Sequence, residues 1–459
     1  MSMEILRNVN GSIVNTLGEQ PVFANKEYRF MKYCLCLDID DGKLIANGLT
    51  RAIIFLSNLE IEEIGDIDKY AYLYKYYFLV PEEFDETSAI DRIRKTLQIP
   101  IDDLYLNHPS SFTILTTSRC NARCFYCYEN PLKRKHHMTQ DTAEKIVKYI
   151  LDVSLGKVTL HWFGGEPLFN YQVIDTITRI LRQNKKEFVC SFTSNGYMFN
   201  KEMAEKAKNV WNTTNVQITL DGTKDVYNKT KNYIYKDDSN PYRTVLNNIA
   251  RLLNLGITVT IRLNLDLYNS EDLKNLIKEL YNRFRNHPKL GIYCWPIFEE
   301  NGYNRTEEQR KQLYKELEEL ENVLKTYNYF KGNMMGESIR YAQCMADNGK
   351  SVLITQDGDL GTCEHLVGSN FWGHIDNPDE KDFTELLYWR DYEPRLDICD
   401  DCPLYGECIR PTKCLEMSKC DPYIKEWNIR KFEQGLLNYY LGYREQNKNN
   451  PRFLNENVD

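Results

Sequence analysis

The chain of 459 residues has no surplus of positive charge, no long apolar run and no internal repeat. Lys and Arg number 58 against 66 Asp and Glu, for a net charge of -8, which removes the global electrostatic reason to expect nucleic acid as a partner. The one basic run, Lys133-Arg134-Lys135-His136-His137, reads as a solvated loop. No segment approaches the roughly 20 apolar residues of a membrane span, and Met1 to Asn10 holds no signal-peptide core, so a cytoplasmic protein without a membrane partner is expected. In that compartment thiols stay reduced. The 14 Cys are therefore poor candidates for disulfides, and metal or cluster ligation becomes the default for any that are grouped.

The composition, 42% hydrophobic and 27% charged, is that of an ordinary globular protein, and the length suggests roughly three domains. Apolar runs at 33–39, 52–56 and 72–80, with Asp40-Asp41-Gly42 as a turn, predict strands of a small sheet. A helix over 87–97 follows, with Pro100 expected to close it. This makes residues 1–107 a small α+β domain, read either as a cap or as a peptide-docking module whose sheet edge accepts an added strand. From 108 to 304 the pattern changes to strand then helix, with strands predicted at 112–117, 158–163, 188–193, 216–220, 257–263 and 291–297. Such alternation implies parallel strands with crossover helices, and six units give an α/β partial (β/α)6 barrel rather than a closed eightfold one. A charged helix within 305–340 is expected to bridge to a cysteine-rich region at 341–459, which ends in an amphipathic helix near 424–441.

Cys120, Cys124 and Cys127 form C-x3-C-x2-C just past the first of these strands, at the strand end where α/β folds place chemistry. Three thiolates on one short loop suit a polynuclear iron cluster with an open iron, whereas zinc needs a fourth ligand, which His136 or His137 offers. One strand later comes Phe163-Gly164-Gly165-Glu166-Pro167, where two glycines permit close backbone approach and Glu166 is placed to accept from an ammonium group.

With these two motifs, residues 111–298 resemble the radical S-adenosylmethionine superfamily. The resemblance implies that Cys120, Cys124 and Cys127 hold a [4Fe-4S] cluster whose fourth iron binds the amino and carboxylate groups of S-adenosyl-L-methionine. One-electron cleavage then yields a 5′-deoxyadenosyl radical that abstracts hydrogen. It further implies cofactor contacts from Gly164, Gly165 and Glu166, from Tyr126 against the adenine, from Ser194 and Arg262 to the carboxylate, and from Asn195, Asn264 and Asp221 near the ribose. All of these stand at or beside successive strand ends.

The second group reads C-x13-G-x4-C from Cys344 through Gly358 to Cys363, then C-x2-C-x5-C-x5-C-x5-C from Cys399 through Cys402, Cys408 and Cys414 to Cys420. By spacing alone, structural zinc and iron–sulfur clusters both remain open. Following the barrel, the arrangement resembles the SPASM extension, which implies two auxiliary [4Fe-4S] clusters, hence three in all. The first would take Cys344, Cys363 and Cys414, the second Cys399, Cys402, Cys408 and Cys420. Five residues separate Cys408 from Cys414 where the family has three, which loosens that pair of assignments. The first auxiliary site has three obvious ligands; its fourth position is left open, to a substrate thiolate or to Cys294 or Cys36. Glu364, directly after Cys363, stands where sulfatase-maturing relatives carry an acidic base.

The resemblance as a whole implies a maturase that crosslinks a ribosomally made precursor peptide through a thioether or carbon–carbon bond, fed by a low-potential donor such as flavodoxin or ferredoxin. A formylglycine-forming maturase is the second reading, and a non-catalytic metal scaffold a distant third.

Overall fold

A computed structural model describes residues 3–447 except 105–106, 128, 130–135, 236, 238–239, 300–303, 341–343, 367–370, 389–395 and 409–419; within the helix at 86–104, residues 98–104 are described by backbone alone. Cys414 and residues 133–135 of the basic run lie outside the described residues. The chain divides into two compact units, neither continuous in sequence. One comprises Met1–Asp102, Lys331–Gln343 and Glu393–Asp459, the other Asp103–Phe330 and Cys344–Tyr392. This division crosses the boundaries expected from the linear sequence, because the cysteine-rich region contributes to both units. The helix Glu307–Thr326 belongs to the second, where Leu313, Leu317, Leu320 and Leu324 are buried and the helix contacts the neighbouring strand Leu290–Pro296 and helix Ser270–Phe284.

The second unit is built on a nine-stranded sheet. Its six predicted parallel strands are Ser111–Thr117, Val158–Gly164, Phe188–Ser194, Thr213–Leu220, Thr258–Leu265 and Leu290–Pro296, ordered side by side as in the chain. A seventh parallel strand, Ser351–Ile354, pairs with the first, and the short antiparallel strands Asp359–Gly361 and Phe371–His374 follow it. The crossover helices begin where capping residues stand: Thr139, Asn200 and Asn240 each accept a hydrogen bond from the third residue after them.

Strands covered by helices on both faces read as continuous apolar runs. These alternate instead. Leu160, Trp162, Cys190, Phe192, Val216, Ile218, Val259, Ile261 and Leu263 are buried on one face, while His161, Ser191, Thr193, Gln217, Thr260 and Arg262 are half-buried on the other. That second face is a polar ladder: His161 bonds Ser191 at 2.8 Å and Thr193 at 3.0 Å, and Tyr293 donates to Gln217 at 2.9 Å. Burial pushes the His161 imidazole down to about 4, so it is neutral at physiological pH. The sheet thus keeps one hydrogen-bonding face that carries Arg262 beside uncharged polar groups.

The first unit contains a four-stranded antiparallel sheet, in the order Glu4–Arg7, Ile53–Ser57, Gly42–Asn47, Cys34–Ile39. Ile39 pairs with Gly42, so Asp40-Asp41 makes the turn. Two expectations fail here. Residues 72–80 are not one strand, but a helix at Ala71–Lys75 followed by the short strand Leu79–Pro81; the helix buries Leu73 and Tyr74 together, adjacent positions that a strand would send to opposite faces. The helix after it runs from Glu86 to Leu104, past Pro100, since a proline removes one backbone hydrogen bond without of itself ending a helix. The terminal helix, Pro422–Gln446, covers the sheet: Phe432, Leu436 and Tyr440 share a core with Leu6, Leu35, Leu44 and Phe55.

Candidate functional site

The first parallel strand ends at Thr117, and the cysteine loop is pinned there at both of its ends. An antiparallel bridge joins Thr117 to His137, and Met138 N–H donates to the Thr116 carbonyl at 3.0 Å. The Gly164-Gly165-Glu166 segment lies directly on this loop, with Gly165 N–H donating to Thr117 and Glu166 N–H to Arg119, both at 3.0 Å. The glycines make that approach possible. A Cβ on Gly164 would stand 2.4 Å from the Thr117 oxygen, and one on Gly165 2.4 Å from the Arg119 oxygen. What the two glycines approach is therefore the backbone that carries the cysteines.

Cys120, Cys124 and Cys127 are half-buried. Ala122 N–H donates to the Cys120 sulfur at 3.3 Å, a bond that favours a thiolate. Burial, followed by Glu129 and Cys124, pushes the Cys127 thiol up to about 12, and burial raises Cys120 and Cys124 as well. Three thiols this resistant to ionisation become thiolates when a cationic metal centre takes the protons' place, which is the donor chemistry of an iron–sulfur cluster. Of the two histidines offered for zinc, His136 pairs with Asp357 at 2.7 Å, and the His137 ring lies 5.9 Å from that of Phe169. Among the described residues no three His, Cys, Asp or Glu side chains converge as a single metal ion requires.

Glu166 is completely buried. It accepts from Ser194 Oγ at 2.8 and 3.0 Å, Asn195 N–H at 3.0 Å and Leu168 N–H at 3.4 Å, yet burial still pushes it up to about 7. Ser194, expected to face a carboxylate ligand, turns to Glu166. Asn195 donates through its side chain to Asn121 Oδ1 at 2.6 Å, within the cysteine loop. Tyr126, Asp221 and Asn264 likewise find one another: Tyr126 Oη donates to Asp221 Oδ1 at 2.6 Å, and Asn264 Nδ2 donates to Tyr126 at 2.9 Å and to Asp221 at 3.1 Å. Sequence reasoning placed all of these at one site, and the structure joins them in two connected clusters around the loop. The Arg262 guanidinium lies 4.8 Å over the Phe298 ring and donates to the Pro296 carbonyl at 3.4 Å.

Two residues of the site were not anticipated. Lys231 is buried and ion-paired with Asp221 at 3.0 Å. Glu129, two residues past Cys127, is pushed up to about 8 by burial and then by Glu364. Glu364, the proposed base, thus faces a second carboxyl, and the next residue, His365, packs its ring 4.5 Å from Phe298. A glutamate so close behind the last cysteine was the available signal for Glu129; Lys231 lies in the polar helix Lys224–Lys231 and gave none.

The later cysteines divide between the units. In the second, Cys344 and Cys363 bracket the strands Ser351–Ile354 and Asp359–Gly361, while Cys399, Cys402, Cys408 and Cys420 belong to the first. There the turn around Cys402 is fastened to the N-terminal elements. Arg94 donates to the carbonyls of Tyr405 and of Cys408, the latter at 2.6 Å; Tyr405 stacks on Tyr33 at 5.0 Å; and buried Glu407 pairs with Arg51 and, at 2.8 Å, with Arg340. Of the two spare cysteines offered as a fourth ligand, Cys294 is buried in the second unit and Cys36 half-buried in the first, its thiol pushed up to about 11 by burial.

The chain is 25% identical over 283 residues to an uncharacterized protein of Methanocaldococcus jannaschii, covering 57% of this chain and 87% of that one. It is 32% identical over 123 residues to a probable GTP 3′,8-cyclase of Methanococcus maripaludis, spanning 26% of this chain and 39% of that protein. Its fold is shared with anSMEcpe with bound AdoMet, at a TM-score of 0.52 and 16% identity over 74% of this chain and 100% of that one. It is also shared with Streptococcus suis SuiB bound to precursor peptide SuiA, at 0.51 and 14% over 87% and 100%. Residues 114–280 match the Radical SAM superfamily, so this part of the chain is a radical SAM domain.

Proposed function

We propose that the enzyme acts on a precursor peptide, abstracting hydrogen to form an intramolecular thioether or carbon–carbon crosslink. The observation that carries this reading is that the chain holds, besides the radical SAM unit, a second compact unit in which four cysteines occur together with an N-terminal sheet; the fold likeness to SuiB, which extends over 87% of this chain, supports it. A cluster at Cys120, Cys124 and Cys127 would supply one-electron cleavage of S-adenosyl-L-methionine and so a carbon radical. The chain's own part is to hold and orient. Glu166 offers a buried carboxylate to the cofactor's amino end, Arg262 a cation to its carboxylate, and the neutral face around His161 hydrogen bonds without competing charge. Glu129, pushed up to about 8 by burial and then by Glu364, stays protonated near neutral pH, a proton store within the site. Cys344, Cys363 and Cys414 would hold a first auxiliary cluster and Cys399, Cys402, Cys408 and Cys420 a second, with flavodoxin or ferredoxin as donor and the N-terminal sheet as the docking site for the peptide.

The test is mass spectrometry of a candidate cysteine-containing peptide after anaerobic incubation with the iron-reconstituted enzyme, reductant and S-adenosyl-L-methionine. Loss of two hydrogens per modification is expected; exchange of a thiol for an aldehyde would replace crosslinking by formylglycine formation. An enzyme that cleaves the cofactor but leaves every peptide tried unchanged would count against a peptide substrate.

A further inference from the structure

Lys231 ends the short helix that follows the fourth parallel strand, and both its backbone and its side chain reach the cysteine loop. Its carbonyl accepts from Arg123 N–H at 2.8 Å, between Cys120 and Cys124. Its ammonium donates to Tyr126 Oη at 3.0 Å, between Cys124 and Cys127, and to Thr219 Oγ1 at 2.8 Å. Three residues on, Ile234 N–H donates to the Asn121 carbonyl at 2.9 Å. One residue thus grips the loop in both of the intervals that separate its cysteines. The side chain is 3% exposed, and its ion-pair partner Asp221 is fully buried, itself held by Tyr126 and Asn264.

We propose that Lys231 is a positioning residue for the cysteine loop and that its buried ammonium favours the reduced, more negative state of the cluster held there. The proposal rests on the cluster reading of the three cysteines. The argument is geometric first. A buried, fully bonded ammonium has little freedom to move and is little screened by water, so its field acts on whatever charge the loop carries. The groups that face it are Asp221, Tyr126, Tyr227 and Cys124. Asp221 opposes that field, and the two charges meet the loop at the same Tyr126 hydroxyl, which accepts from Lys231 and donates to Asp221. A cluster that takes up one electron gains one negative charge, and a nearby cation stabilises that state over the oxidised one.

The experiment follows the EPR signal of the reduced cluster during anaerobic titration with dithionite, using the signal that the C120A/C124A/C127A variant lacks. Lys231→Met is expected to retain the iron of this site and to need a more negative potential, with the reduction equilibrium about tenfold less favourable, which for one electron is about 59 mV. Lys231→Arg keeps the charge and should stay near the parent. Because Lys231→Met leaves Asp221 without its cation, the double variant K231M/D221N is titrated alongside; it removes both charges together and should still shift in the same direction. A role limited to folding would lower iron content in the Met and Arg variants alike and leave the midpoint of the remaining cluster in place. A full signal with an unshifted midpoint in both K231M and K231M/D221N overturns the proposal. If the parent itself lacks the signal, the cluster reading fails first and takes this proposal with it.

Discussion

Replacing Glu166 by Gln should change how the stability of the metal-free protein depends on pH. The carboxyl is fully buried and is pushed up from 4.5 to about 7, burial outweighing the donors from Asn195, Ser194 and Leu168. A folded-state value above the unfolded one means that the stability linked to this group is fully present below about 4.5 and is lost as pH rises through about 7. The difference of about 2.5 between those values corresponds to about 3 kcal/mol when the group is fully ionised. Most of it, about 2–3 kcal/mol, falls between pH 5 and pH 8. Gln keeps the shape and has no charge to bury. The unfolding free energy of Glu166→Gln relative to the parent should therefore rise by about 2–3 kcal/mol from pH 5 to pH 8. Urea unfolding of both proteins without iron, at the two pH values, measures this difference directly. A difference that does not change with pH, or one that falls toward pH 8, would refute the reasoning. The same arithmetic says why the carboxylate suits a cationic ligand: an ammonium group bound beside it offsets the burial that now opposes its charge.

Gly165→Ala should strip iron from the Cys120 loop, because the added carbon would stand 2.4 Å from the Arg119 oxygen and 2.7 Å from its carbon. The displacement should cost about 1–3 kcal/mol, read by iron analysis together with denaturant unfolding. Arg51→Met should destabilise the first unit by about 3–5 kcal/mol by leaving a buried carboxylate short of its partner, and Arg51→Met with Glu407→Met should recover most of that loss. Cys402→Ala should stop peptide modification while uncoupled cleavage of S-adenosyl-L-methionine continues, measured as 5′-deoxyadenosine by chromatography. A folded, iron-depleted Cys402 variant that modifies peptide at the parent rate would leave that cluster a structural part at most.

The six parallel strands were legible in the sequence because each is a short β-prone segment followed by a helical period, and the strand ends could then be searched for polar groups. The seventh, Ser351–Ile354, is only four residues long and follows Gly349 and Lys350, so no period had room to develop. The turn dipeptides Asn195-Gly196 and Asp221-Gly222 marked the right places. Whom those side chains bond was invisible, since pairing depends on which strands lie side by side. Lys231 was hidden for a related reason. In Lys-Asp-Val-Tyr-Asn-Lys-Thr-Lys every lysine looks equally solvated, and only the strand beneath decides that the last one is buried against Asp221. The run at 72–80 misled because tyrosines favour strands by composition, whereas here their packing calls for a helical turn.

The first unit takes its core from chain segments at opposite ends of the sequence, and this sets the order in which the protein can mature on the ribosome. Leu35, Leu44 and Phe55 are synthesised early, but the helix that covers them, Pro422–Gln446, emerges some 370 residues later, and Tyr439 then reaches back to the carbonyl of Leu6 across 433 positions at 3.0 Å. At translation speeds of about 5–20 residues per second the interval is roughly 20–70 s. Throughout it the nascent sheet lacks its cover, while the parallel sheet beyond it can already fold as each strand appears. The radical SAM unit can thereby become native first, and closure of the N-terminal sheet waits for the stretch of chain that also carries Cys399, Cys402, Cys408 and Cys420.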